Sequence, residues 1–181
     1  MVIKKNTPGW SGVKAKLADT DRSGLMALLQ DLYAASKDNQ TFLHARLSLG
    51  DDVLAPYKAA ITQWINPPDP RKPLSVAKAK KAISDYKKAV GRSEGLAELT
   101  VFYCEQVFEF LSVCGIDDDG FYDAWVRMFE QALKYMQALP ATQRAPLMVR
   151  LVALRHQAKI TGWGGVSDDF NDHWLAAGLS E

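Results

Sequence analysis

The chain has 181 residues, with 22 Lys+Arg against 21 Asp+Glu, a net charge of +1 with histidine neutral, and 48 % hydrophobic residues. These values exclude a disordered, collagen-like or mucin-like chain, and a chain of this length buries roughly 70 % of its unfolded surface as one domain or two small ones. Near-neutrality also sets a strongly basic nucleic-acid binder aside as the default reading.

In chain order, residues 1–20 are expected to form a partly ordered N-terminal segment. Its first eight residues turn polar behind two lysines, without the apolar stretch of a secretory leader. Residues 21–181 are expected to form a single all-helical domain. Helices are predicted near 21–36, 39–49 and 52–66, the last carrying Pro56 in its first turn, where a proline is tolerated. Four prolines in the eight residues 66–73 make a stiff connector and the candidate for a subdomain boundary. In 74–91 the apolar residues Val76, Ala79, Ile83, Tyr86 and Val90 recur at spacings of 3, 4, 3 and 4, the stripe of an amphipathic helix, with Ser75 as its N-cap and Gly91 as its stop.

The segment 94–114 differs. Glu94, Glu98, Glu105, Glu109 and Ser112 fall within about 60° of one another at 100° per residue, and every other face is apolar. A helix so enclosed is predicted to be central. Its carboxylates also interrupt the most apolar stretch of the chain, which therefore falls short of the ~20 residues of a membrane span, and no membrane partner is expected. Cys104 and Cys114 lie about 15 Å apart along this helix, beyond disulfide reach. Two unpaired thiols point to a reducing, cytoplasmic setting.

Helices are predicted again at 121–139 (Phe121, Trp125, Met128, Ala132, Met136 inward, Asp119 as N-cap), near 143–160, and at 168–177 behind Ser167 as N-cap. No stretch alternates with period two. The predicted architecture is all-α, seven to nine helices in a bundle or in stacked hairpins, with 94–114 at its centre.

The +1 balance conceals blocks of opposite sign. Residues 58–92 carry nine basic and two acidic side chains, net +7; residues 93–130 carry nine acidic and one basic, net −8; residues 131–166 carry five basic and none acidic. Two readings follow. Consecutive helices pair their charges within the fold, or the basic helix, through Lys78, Lys80, Lys81, Lys87 and Lys88, faces an acidic partner. Lys81 and Lys88 fall opposite the apolar stripe, and the other three flank it.

Motifs for chemistry are weak. The Glu stripe lacks the Glu-x-x-His pairs of a helix-bundle metal site, so a solvated stripe or a salt-bridge row facing the lysine helix is expected. Asp117-Asp118-Asp119-Gly120 is contiguous where a calcium loop alternates, and Val126 stands where that loop needs Glu, so capping aspartates are expected. His44, His156 and His173 have no ligand spacing to one another or to the cysteines, and neither metal nor cofactor is expected. His173 follows Asp169 by four residues. Gly162-Trp163-Gly164-Gly165 sets an aromatic among glycines after a basic helix, either as a plug for the core or as a lip over a pocket near Trp163 and His173.

Several runs carry a resemblance: Asp31-Leu32-Tyr33, Phe42-Leu43, Pro56-Tyr57-Lys58, the lysine-rich 77–88, Leu96-Ala97-Glu98-Leu99, Phe121-Tyr122 and, with the lysine run the most specific, Gly162-Trp163-Gly164. Across nearly the whole chain after residue 20 the sequence resembles a family of small bacterial all-helical domains of unknown function. That resemblance implies a bacterial cytosolic protein and transfers no functional residue. The leading expectation is a non-enzymatic protein-interaction or scaffold module, acting on a protein partner or by self-association. The alternatives are nucleic-acid binding through 58–92, extended by Arg144, Arg150, Arg155 and Lys159, and an enzyme with a pocket near Trp163 and His173.

Overall fold

The computed structural model describes residues 9–161 and 165–180, and among them it is all-α with nine helices. The chain divides into two compact units, the first ending at Leu43 and the second running from His44 to Glu181. The proline-rich connector is therefore internal to the second unit, and the division falls upstream of it.

The first unit holds α1 (Trp10–Ala18), within the N-terminal segment, and α2 (Arg22–Ala35); α3 (Lys37–Arg46) begins in it. Asp21 caps α2 by accepting from the Gly24 amide at 2.7 Å. The turn into α3 is tied by side chains. Asn39 Nδ2 donates to the Leu32 carbonyl at 2.6 Å, and Gln40 Nε2 to that of Tyr33 at 3.1 Å. These carbonyls belong to the last turn of α2, which has no further helical amide to bond them.

The second unit is a six-helix assembly built on α4 (Ala55–Ile65), α5 (Val76–Ala89), α6 (Ser93–Val113), α7 (Asp119–Gln137), α8 (Ala141–Thr161) and α9 (Val166–Ala176). As its enclosed apolar pattern requires, α6 is the axis, packing against α4, α5, α7 and α8, while α9 closes over α7 and α8. Twelve α6 residues are buried. The predicted stripe of α7 is buried throughout. Its Phe129 ring stacks on Phe170 at 3.9 Å, and Trp125 meets Phe170 edge-on at 5.0 Å, so aromatic packing fixes α9 to α7.

The α4–α5 hairpin explains the connector. Four prolines cannot continue a helix, and the Ser75 amide donates to the Trp64 carbonyl at 2.9 Å, bringing the end of one helix to the start of the next. Ser75 caps α5 by accepting from the Lys78 amide. At the other end Gly91 has φ +67°, and a Cβ there would stand 2.8 Å from the Lys87 carbonyl oxygen. Its amide closes the helix by donating to Tyr86 O at 3.1 Å. Arg46 donates to the Ala89 carbonyl at 2.9 Å in the same last turn.

Two predicted caps are corrected. Asp118, not Asp119, caps α7 by accepting from the Phe121 amide, because the helix starts at Asp119 itself. Ser167 does not cap α9. Val166 is buried and already helical, so the helix starts before the serine, behind Gly165.

Gly95 decides how closely α5 approaches α6. A Cβ there would meet the Tyr86 hydroxyl oxygen at 2.0 Å and its Cζ at 2.3 Å, and Tyr86 is held edge-on to Tyr57 at 5.4 Å. Alanine in mid-helix ordinarily adds about 0.5–1 kcal/mol over glycine; overpacking here costs about 1–3 kcal/mol, so the net sign is destabilising. Gly95→Ala should lower the urea midpoint with an unchanged m-value, and an equal or higher midpoint would contradict this packing.

Candidate functional site

Three carboxylates of α6, Glu98, Glu105 and Glu109, emerge along a seam between α4 and α8, while Glu94 is exposed near Tyr86 of α5. Lys58 of α4 places Nζ 2.6 Å from Glu98 Oε1. Arg150 of α8 grips Glu105 with a two-pronged fork, Nε and Nη2 each 2.6 Å from one oxygen, while its Nη1 donates to Glu98. Glu109 accepts from Gln106 at 2.7 Å and from Asn66 at 3.1 Å, and Gln106 in turn accepts from Thr62 at 2.9 Å. The expected salt-bridge row is therefore present, but its partners are corrected. It faces Lys58 and Arg150, not the lysine helix. The reason is geometric: α5 buries Ile83, Tyr86 and its alanines, with Tyr86 against Gly95 of α6, which turns the lysines away.

The seam is neither buried nor freely solvated. The Lys58 and Glu98 side chains are 30 % and 23 % exposed, so water screens them only in part. Burial by itself would raise the Glu98 carboxyl. Hydrogen bonds from Arg150 and Lys58, with their charges, outweigh it and hold the group below its ordinary value. The same contacts, Glu105 foremost, raise Arg150 further above its usual range. Sequence reasoning missed Lys58 and Arg150 as the partners. The available signal was that Arg150 lies a quarter-turn from the Leu147–Leu151–Leu154 core stripe, on the side of a helix flank rather than on its outer face.

The five lysines of α5 are all exposed. Lys81 and Lys88 share Asp85, at 2.5 and 3.8 Å, and the Lys78 ammonium stands 3.8 Å from the centre of the Trp64 ring. Lys80 and Lys87, seven residues apart, form a separate row on one side of the helix, and Asp85 lies on the other side. Elsewhere in the +7 block Arg71 is tied to Asp69 at 2.9 Å.

His156 and His173 line two different hollows, and His44 stands apart from both in α3. His173 lines one between α7 and α9 with Glu130, Leu133, Lys134 and Gln137, about 130 Å³ in volume. Glu130 there is held by Lys134 at 2.6 Å, and that hydrogen bond, ahead of the nearby His173, keeps its carboxyl below the ordinary value. His156 lines the other, a cleft of about 330 Å³ between α8 and α9, with Val152, Arg155, Lys159, Ser167 and Asn171. Arg155 is fixed there by Asn171 Oδ1 at 2.9 Å and by the Trp174 ring. Trp163, proposed to stand with His173, lies outside the described residues, as do Gly162 and Gly164.

Among the described residues no group of three or more His, Cys, Asp or Glu is arranged to hold a metal ion. Cys104 is fully enclosed, and burial pushes its thiol well up, so it behaves as an apolar core residue. No helix of the described residues is long and apolar enough to cross a membrane. Comparison with family models, with curated proteins and with solved structures finds no match for this chain.

A pH dependence follows from Glu98. Its folded-state value is depressed, so its contribution is complete above the ordinary carboxyl value of 4.5 and is lost as pH falls below that. Arg150→Gln should cost about 1–3 kcal/mol at pH 7, between the values for exposed and buried pairs, and should flatten the fall in urea midpoint below pH 4.5. A variant that keeps the parent's full acid sensitivity would remove Arg150 from this role.

Proposed function

We propose that the protein is a non-enzymatic interaction module whose α5 face receives an acidic protein surface. One observation supports this most. Glu98 and Glu105 of α6 are already neutralised by Lys58 and Arg150, while the Lys80–Lys87 row points to solvent without a carboxylate on its side of α5. Lysines placed only to hold helices together would be spent on the acidic seam beside them; these are not. The row is short, and Lys58 and Arg71 of the same block are already engaged within the fold. That geometry fits a compact acidic patch better than the long phosphate track that a nucleic-acid binder must neutralise. The two free thiols, Cys104 and Cys114, accord with a reducing cytoplasm, and the resemblance to bacterial helical domains accords with a bacterial source.

Fluorescence anisotropy with a labelled 20-residue polyglutamate peptide and a 24-base-pair DNA duplex tests the reading. At 50 mM salt the peptide should bind, and Lys80→Glu with Lys87→Glu should weaken it at least tenfold without moving the urea midpoint, since both side chains are exposed. DNA bound more tightly than the peptide, with an affinity falling steeply with salt, would replace this reading with the nucleic-acid one.

A further inference from the structure

The α8 helix is apolar on two opposite sides. Leu147, Leu151, Leu154 and Ala158 face the core. On the far side Val149, Val152 and Ile160 are 70 %, 45 % and 70 % exposed, and with Ala145, Ala153 and His156 they fall within about 100° of arc at 100° per residue. A helix with a polar solvent face needs no partner there; one apolar on both sides presents a surface that gains free energy by being covered.

The charges beside this face specify what covers it. From Ala141 to Thr161 α8 contains Arg144, Arg150, Arg155 and Lys159 and no Asp or Glu. Arg150 is turned inward to the seam. Arg155 and Lys159 line the cleft at one edge of the face, where Asp168 of α9 is the carboxylate opposite them. At the other edge, Glu109 of α6 borders the groove with Ala153 and Gln157, and it is hydrogen-bonded to Gln106 and Asn66. Pairing two α8 helices antiparallel about Val152 would set Arg144 of one copy near Lys159 of the other along the same edge, with no carboxylate from either helix between them. A second copy is thus disfavoured.

We infer that the outer face of α8 is a docking surface for an amphipathic helix of a partner protein, seated by apolar anchors on Val149, Val152 and Ile160 and carrying carboxylates along the edge that meets Arg155 and Lys159. This deepens the interaction reading by naming a second surface, distinct from the lysine row of α5, and the kind of element it takes.

The test uses the full chain and two labelled helical peptides with leucines at heptad a and d positions, one flanked by glutamates and one by lysines. The glutamate peptide should bind at least tenfold more tightly than the lysine peptide. Val149→Ser with Val152→Ser should weaken it at least tenfold while circular dichroism and urea midpoint stay at parent values, because both side chains are exposed. Arg155→Gln with Lys159→Gln should weaken it and reduce its salt dependence. Lys80→Glu with Lys87→Glu should leave it unchanged, so that loss of the α5 reading and loss of this one are separable. Equal binding of the two peptides, or binding indifferent to the valine substitutions, would overturn the inference. So would a chain that sediments as a dimer and becomes a monomer on Val149→Ser with Val152→Ser, since the face would then join two copies.

Discussion

The Arg150 guanidinium, held between Glu98 and Glu105, is the contact on which the second unit turns. α6 is apolar on nearly every side and has to be surrounded, yet it carries carboxylates that cannot be buried alone. An isolated carboxylate taken out of water costs several kcal/mol, and the cost is offset only by a well-placed cation with good hydrogen bonds. The helices flanking the seam must therefore each deliver a cation at the right height. α4 does so with Lys58, and α8 does so with a planar guanidinium whose fork matches a carboxylate where a lysine would supply a point charge. Which helices border the seam is in this sense an electrostatic decision, made on top of a hydrophobic one.

Much of the architecture was legible in the residues. The 3-4-3-4 spacing of Val76, Ala79, Ile83, Tyr86 and Val90, the cap at Ser75 and the stop at Gly91 are local properties, and local rules read them correctly. The near-total apolarity around the Glu stripe placed α6 at the centre for the same reason. The partners of that stripe were not legible, because they depend on which helices pack beside it. Block charge pointed to the adjacent lysine helix. Close packing at Gly95 and Tyr86 rolled that helix so that its lysines faced away, and a residue 52 positions from Glu98 took the place instead. The cap of α9 was missed differently. Ser167 has the right chemistry, but burial of Val166 started the helix before it.

The same rearrangement gives the charge blocks a different functional meaning. Had the α5 lysines neutralised the α6 carboxylates, the surface would have been left without a dominant feature. Because Lys58 and Arg150 do that work, the Lys80–Lys87 row is left outside, and α8, with Arg150 committed to the seam, shows an apolar outer face edged by Arg155 and Lys159. Internal satisfaction of the seam and external availability of the other cations are two sides of one allocation. The interaction reading depends on that allocation more than on any single surface residue.

A double-mutant cycle in urea denaturation between Glu98→Gln and Arg150→Gln, run beside one between Glu98→Gln and Lys81→Gln, measures that allocation most directly. The account predicts a coupling of about 1 kcal/mol or more for the first pair and none beyond about 0.3 kcal/mol for the second. Comparable coupling to Lys81, or none to Arg150, would show that the acidic seam is satisfied by the lysine helix after all.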